Sequence, residues 1–185
     1  MLKRRLLFCF LICSLPLAAA QSAIELDPAR TTIGFTVDST LHTVHGSFKL
    51  KRGSLKFDTA TGSVSGEIVV DVASGETGND SRDKRMHKEI LETARYPEAI
   101  FTPDHIAGEL APQGPSQLDV HGVFQIHGAS HELTLHIRAE IKDGELSAST
   151  DFTIPYVQWG IKNPSNFLLK VADKVEMHIQ STARM

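Results

Sequence analysis

Short segments in which apolar and polar residues alternate recur along this chain from residue 31 onward. In the first, Ile33, Phe35 and Val37 alternate with small or polar residues, which is the period of a β-strand with one buried face. The same pattern returns in residues 44–57, 64–72, 98–108, 117–127, 131–141, 145–154 and 173–183. Turn-forming residues separate most of these segments, so the pattern predicts an all-β chain of eight strands.

The second strand changes parity along its length. Phe48 and Leu50 occupy even positions, whereas the apolar residues Leu55 and Phe57 occupy odd ones. One extra residue near Arg52-Gly53 would keep all four side chains on the same face, so we predict a β-bulge there.

The period changes once, in a charged stretch over about residues 81–94. Asp80 or Ser81 can cap a helix there, and Pro97 ends the segment. Three apolar residues share one face of this helix: Met86, Ile90 and Leu91. The order of elements predicts a small antiparallel eight-stranded barrel with one crossover helix, and a second short helical turn is expected near residues 164–170.

The first twenty residues have the features of a secretory signal peptide. Three basic residues precede an apolar stretch over residues 6–15, and small alanines stand before Gln21. The apolar stretch is too short for a transmembrane helix, so we expect a soluble mature protein over residues 21–185, exported to the periplasm of a two-membrane bacterium. Both cysteines, Cys9 and Cys13, would leave with the signal peptide.

Charge and motifs narrow the function classes. The chain has a formal net charge of −3, and loss of the three basic residues with the signal peptide would leave −6. A nucleic-acid partner is therefore not expected. No nucleophile elbow, phosphate loop, zinc-protease helix or dinucleotide fingerprint is present, so we predict neither a catalytic residue nor a cofactor. An apolar small molecule remains open as a ligand.

Four of the nine histidines lie in one predicted hairpin: His121, His127, His131 and His136. A Gly128-Ala129 turn would pair His127 with Ser130 and Phe124 with Leu133, and would place His121 opposite His136 on the outer face. Two ligands on an open surface are too few for a structural zinc site, so no metal site is predicted. A pH-sensitive surface pair and ordinary exposed histidines remain as interpretations.

Two other groups of residues have competing interpretations. Asp83 and His87 lie one helical turn apart and could form an acid/base pair, but helix capping and surface ion pairing explain them more simply and are preferred. Tyr156 and Trp159 follow the seventh strand and would either line the mouth of a cavity or plug the end of the barrel.

Several segments together resemble the YceI-like, polyisoprenoid-binding proteins of bacterial periplasms. They are IGFTV (33–37), VHGSF (44–48), SGETGND (74–80), YPEAIF (96–101), GVFQIHG (122–128) and WGI (159–161), with Arg82, Asp83 and His87. The resemblance covers nearly the whole mature chain and implies a lipocalin-like barrel that holds an isoprenoid or related lipid, not an enzyme. The chain departs from the family in one segment, since Tyr156, Val157 and Gln158 stand where the family often has Arg-Ser-Asp.

An interior set of side chains follows from the strand parity. The residues expected to line an apolar tunnel are Phe35, Phe48, Phe101, Phe124, Leu135, Phe152 and Met177, with Tyr156 and Trp159 at its mouth. A barrel about 25 Å tall accommodates a chain of about sixteen to twenty carbons. A longer polyisoprenoid would have to fold back, protrude or be shared by a homodimer. The expected partner is an isoprenoid quinone, a polyprenyl lipid or a fatty-acyl lipid.

Three hypotheses follow from this interior. The first is an exported carrier or scavenger of such a lipid, the second an enzyme that acts on it, and the third an interaction module whose barrel is dry and packed. The carrier hypothesis is preferred, because burial of an apolar lipid chain in the barrel is enough to provide affinity and requires no catalytic groups.

Overall fold

A computed structural model describes residues 21–58 and 61–184, and shows a closed barrel of eight antiparallel strands. Each strand pairs with the next along the chain, and β8 closes on β1. The strands are β1 Gln21–Val37, β2 Val44–Asp58, β3 Ser63–Glu76, β4 Glu98–Ala107, β5 Gly114–Ile126, β6 Ala129–Lys142, β7 Glu145–Ile154 and β8 Val175–Arg184. The predicted eight-stranded barrel is thus confirmed. The predicted signal peptide over residues 1–20 lies outside the described residues.

The bulge in β2 lies beside its predicted position. Leu50 pairs with Val70 of β3 and Arg52 pairs with Val69, so Lys51 is the extra residue. Leu50 before the bulge and Phe57 after it are both buried, although their positions differ in parity. The extra residue therefore keeps one face of the strand inward, as predicted.

The crossover helix begins and ends earlier than predicted. Helix α1 covers Asp80–Arg85 and continues as one turn of π-helix over Met86–Ile90. Its N-cap is Asn79, whose side chain accepts a hydrogen bond of 3.0 Å from the backbone N–H of Arg82, so neither predicted capping residue has this role. Glu92 follows with a φ of 45°, which ends the helical backbone.

The second helical turn expected near residues 164–170 is absent, because side chains fix that segment as a loop. The carboxamide oxygen of Asn166 accepts hydrogen bonds from the backbone N–H groups of Leu168 and Leu169, at 2.9 and 2.8 Å. This side-chain turn competes with a helical hydrogen-bond pattern.

The predicted register of the β5–β6 hairpin is wrong by two residues. The turn is His127-Gly128, with φ values of 51° and 78°, and it pairs Ile126 with Ala129. Both turn residues have the positive φ of a type I′ hairpin turn, which is uncommon for residues other than glycine, so the sequence favoured the Gly128-Ala129 turn instead. As a result Phe124 faces His131 instead of Leu133.

The same correction applies to the two outer histidines, because His121 pairs with Thr134 and His136 with Asp119. His121 and His136 are thus not opposite each other.

Two apolar clusters divide the interior. We call the end of the barrel with α1, the 38–43 loop and the 155–174 loop the mouth, and the opposite end the far end. Buried side chains from six strands fill the far end: Ile24, Phe57, Val64, Ala139, Ile141, Leu146 and Ala183. The larger cluster lies toward the mouth.

No helix among the described residues is long and apolar enough to span a membrane.

Candidate binding cavity

A cavity of about 560 Å³ occupies the mouth half of the barrel. Its walls come from the mouth-side halves of the strands, and its cover comes from α1 and the 155–174 loop. None of the residues that fill the far end lines it. The interior is therefore packed in one half and hollow in the other, which the strand pattern alone could not distinguish.

The structure distributes the predicted tunnel residues between the cavity wall and the surrounding core. Six of the nine line the cavity: Phe35, Phe48, Phe124, Phe152, Tyr156 and Met177. Phe101 and Leu135 are buried in the adjoining core and do not line the cavity. Trp159 does not line the cavity either. Its ring stacks on the imidazole of His131 in the β5–β6 hairpin, with 4.0 Å between the ring centroids.

The helix supplies a second part of the wall, which the strand pattern did not indicate. Met86, Ile90 and Leu91, the apolar face recognised in the sequence, line the cavity together with Arg82 and Arg85. The helical period identified the apolar face, but which strands this face would cover depends on long-range packing.

Polar contacts hold the helix to the end of β3. Asp83 accepts hydrogen bonds from both the backbone N–H and the hydroxyl of Thr77, and Arg82 donates to the same hydroxyl at 2.7 Å. Burial raises the pKa of the Asp83 carboxyl, but the Thr77 hydrogen bonds and the charges of Arg82 and His87 outweigh it, so this pKa lies below its ordinary 3.8. The imidazole Nε2 of His87 lies 2.8 Å from the carbonyl oxygen of Gly75. Asp83 and His87 are thus both engaged with backbone near the end of β3.

The charged side chains that line the cavity are arginines. Arg82 and Arg85 line it together with His42, and none of the described residues that line it is a carboxylate. The Nε of Arg85 lies 3.4 Å from a carboxylate oxygen of Glu89. The mouth of an otherwise apolar cavity therefore presents hydrogen-bond donors and positive charge to a bound molecule.

The 155–174 loop covers the cavity with Ile161, Pro164, Leu169 and Val171. Tyr156 anchors it, because its hydroxyl donates a 2.7 Å hydrogen bond to the carbonyl oxygen of Ala172. Burial, and then the charge of Asp173, raise the pKa of Tyr156 to about 12. No periodic pattern indicated these four cover residues, because they lie in irregular backbone.

The outer face carries three histidine–aspartate pairs between neighbouring strands. The imidazole Nδ1 of His121 lies 2.7 Å from Asp104, that of His136 lies 2.6 Å from Asp119, and that of His178 lies 2.9 Å from Asp151. Each of these three histidines is thus paired with a carboxylate on a neighbouring strand. No group of three or more metal-ligating side chains occurs within residues 21–58 and 61–184.

Comparisons with known proteins agree on this architecture. A family model described as a YceI-like domain matches residues 25–183. The fold is similar to that of BcnA from Burkholderia cenocepacia, with a TM-score of 0.70 and 20% sequence identity over 85% of this chain and 99% of that one. No curated protein sequence matches the chain.

Two other solved structures are also similar. A polyisoprenoid binding domain from Saccharophagus degradans, implicated in plant cell wall breakdown, has a TM-score of 0.66 and 17% identity over 87% of this chain and 97% of that one. A YceI protein from Campylobacter jejuni has a TM-score of 0.61 and 20% identity over 77% and 85%. At these identities the likeness shows the fold.

Proposed function

Because the chain belongs to the YceI-like family, we propose that it is an exported carrier or scavenger that binds an isoprenoid or fatty-acid-like lipid inside its barrel. The observation that carries the proposal is the apolar cavity of about 560 Å³ at the mouth. Cavities of roughly 300–1,000 Å³ hold small organic ligands in proteins. The neighbour from Saccharophagus degradans is named for polyisoprenoid binding, which supports an isoprenoid as one ligand class.

Burial of an apolar tail is sufficient for useful affinity. Ten methylene groups at about 0.8 kcal/mol each contribute about 8 kcal/mol before ordering costs. Such a contribution corresponds to an affinity near micromolar, without a strong polar contact. An isoprenoid quinone, a polyprenyl lipid and a fatty-acyl lipid all satisfy this requirement, and a tail longer than the cavity would protrude or be shared by a homodimer.

The proposed location is the periplasm. The basic, apolar and small-residue order over residues 1–20 is that of a cleavable signal peptide. In that compartment a lipid carrier would shield an apolar molecule from water between membranes.

The two alternative functions have less support. An interaction module with a dry, packed barrel agrees with the far end, where side chains fill the interior. It does not agree with the mouth half, which contains the cavity. An enzyme would need free acid and base groups, whereas Asp83 and His87 hold the helix to β3. Turnover of a bound lipid that disappears in Asp83→Asn would nevertheless establish an enzyme.

Native mass spectrometry of the protein exported to a bacterial periplasm tests the proposal. We expect a stoichiometric mass excess that solvent extraction releases as an isoprenoid or acyl compound. Phe124→Asp places a charge on the cavity wall and should abolish this excess, whereas Val123→Asp on the outer face of the same strand should retain it. An unliganded mass, together with no uptake of added quinone or fatty amide, would overturn the carrier proposal.

A further inference from the structure

Large apolar side chains are exposed at the mouth. Leu41, Phe167 and Leu168 are 72%, 95% and 81% exposed, respectively. We call these three residues the apolar rim. Two of them are adjacent at the tip of the 155–174 loop, and the third lies in the 38–43 loop. Exposure of adjacent large apolar residues is costly in water and commonly marks an interaction site.

The rim is held in place by backbone hydrogen bonds. The N–H of Asn166 donates to the carbonyl oxygen of Leu169 at 2.8 Å, so residues 166–169 form a closed turn with Phe167 and Leu168 at its tip. The neighbouring loop is joined to this one, because the N–H of Thr40 donates to the carbonyl oxygen of Lys170 at 2.9 Å. The fold therefore presents the exposed side chains on a fixed surface.

The rim adjoins the entrance of the cavity. Leu169 follows Leu168 directly and lines the cavity, and Ser39 and His42 on either side of Leu41 line it as well. A surface that covers the rim would therefore also lie against the cavity mouth.

The charged residues next to the apolar rim indicate what kind of surface could cover it. Residues 162–174 contain three lysines and one carboxylate, in a chain whose formal net charge is −3. The carboxylate, Asp173, accepts a hydrogen bond from Asn163, and Lys162 lies 3.8 Å from Glu89. The 38–43 loop adds one carboxylate, Asp38, which accepts a hydrogen bond of 2.7 Å from the hydroxyl of Thr43. The lysines Lys170 and Lys174 therefore provide positive charge beside the apolar tip. Apolar side chains flanked by lysines are typical of segments that dock on anionic lipid surfaces.

We propose that the apolar rim docks the mouth of the barrel on an anionic phospholipid bilayer. Phe167 and Leu168 insert at the level of the headgroups, and the flanking lysines contact the phosphates. Docking does not require a lipid in the cavity, so it is independent of the proposed function. If the cavity does carry a lipid, docking allows the lipid to pass between bilayer and barrel without crossing water.

Vesicle co-sedimentation tests the proposal with the exported protein. We expect binding to vesicles made of equal parts of phosphatidylethanolamine and phosphatidylglycerol, and weaker binding to phosphatidylcholine vesicles. The double variant Phe167→Ser, Leu168→Ser should lower the partition coefficient by about tenfold or more, because two apolar side chains lose their burial in the bilayer. The matched exchange Phe167→Leu, Leu168→Phe keeps the apolar surface and should retain binding.

The contribution of charge is tested separately. Lys170→Gln with Lys174→Gln should reduce binding to the anionic vesicles severalfold and flatten its dependence on salt. A wild-type protein that stays in the supernatant with every vesicle, or a serine double variant that binds as well as the wild type, would overturn the proposal.

Two further measurements separate the proposal from its alternatives. Native mass spectrometry of the serine double variant should show lipid retention equal to that of the wild type, which distinguishes lost docking from a lost cavity. Sedimentation equilibrium without vesicles should give a monomer. A dimer that the serine substitutions dissociate would identify the rim as a contact between two copies and overturn docking on a bilayer.

Discussion

The ring of Phe35 occupies the space in which a side chain at Gly46 would lie. The two residues are partners across the β1–β2 ladder, and a Cβ at Gly46 would lie 2.2 Å from Cζ of Phe35. It would also lie 2.6 Å from the carbonyl oxygen of Glu76. The absent side chain thus allows Phe35 to lie on the cavity wall, 5.0 Å from the ring of Phe48.

Gly46→Ala should therefore destabilise the fold and alter the cavity. Phe35 can rotate away, but the backbone oxygen of Glu76 cannot, so we expect a loss of about 2 kcal/mol in the free energy of unfolding. Gly34→Ala on the adjacent strand is the matched control, because its Cβ would make only ordinary contacts at 3.7 Å or more. Urea unfolding of the two variants measures the difference, and equal stabilities would contradict this account.

Ala99 and Ala139 offer a test of the hollow and packed halves. Ala99 lines the cavity, whereas Ala139 belongs to the cluster that fills the far end. Ala99→Leu should fold normally and lower the affinity for a long-chain lipid about tenfold, because the added atoms occupy ligand space. Ala139→Leu should cost about 1–3 kcal/mol in stability and leave lipid affinity unchanged. The opposite result in either measurement would place the cavity elsewhere.

The arginines at the mouth predict a preference for an anionic headgroup. We expect palmitate to bind several times more tightly than hexadecanol, which has an equally long tail, because Arg85 lines the cavity and no carboxylate does within the described part of the chain. Arg85→Gln should reduce this ratio toward one. Arg95→Gln is the control, since Arg95 lies over the ring of Tyr96 and does not line the cavity. A ratio unaffected by Arg85→Gln would assign headgroup recognition to other groups.

The His121–Asp104 pair predicts a pH dependence of stability. The hydrogen bond to Asp104 raises the pKa of His121 above 6.5, burial opposes this, and the charges of Asp104 and Glu132 add to the increase. Because the folded pKa exceeds the unfolded one, the pair stabilises the fold below pH 6.5, and this contribution is lost as the pH rises through the folded pKa.

Asp104→Asn should therefore lower Tm more at pH 5.5 than at pH 8, while the exposed control Glu109→Gln shows no such difference. An NMR titration of His121 that gives the same pKa with and without Asp104 would rule out the linkage.

Tyr156 predicts a second pH effect, at the alkaline limit. Its pKa is raised to about 12, so the neutral phenol stabilises the fold below pH 10, and this stabilisation disappears between pH 10 and about 12. Tyr156→Phe removes the hydrogen bond to Ala172 and should cost about 1 kcal/mol at pH 7. Denaturant unfolding at pH 7 and pH 11 should show the difference shrinking, and Tyr96→Phe provides the control with the other tyrosine.

How far the sequence determined the fold depends on which interactions hold each element. Alternation predicted the strands and the bulge, because both follow from one buried face and local spacing. The hairpin register failed, since it depends on a positive φ at His127. The helix is shorter than expected, because its π-turn and the backbone of Glu92 end it before residue 94.

The same distinction applies to the cavity. Strand parity identified side chains that point inward, such as Phe35 and Met177, but could not separate lining residues from packed ones like Leu135. The cover residues Pro164 and Leu169 lie in a loop fixed by side-chain hydrogen bonds, so no periodic pattern indicated them.

Among residues 21–58 and 61–184, packed side chains fill the far end of the barrel, so a molecule can reach the cavity from the mouth but not from the far end. If the cavity carries a lipid as proposed, its tail would enter and leave through the mouth, and an incoming tail could not displace the bound one from the far end. One lipid would therefore have to leave before the next one enters. The packed cluster around Phe57 and Ile141 would also limit the length of the tail that the cavity can hold.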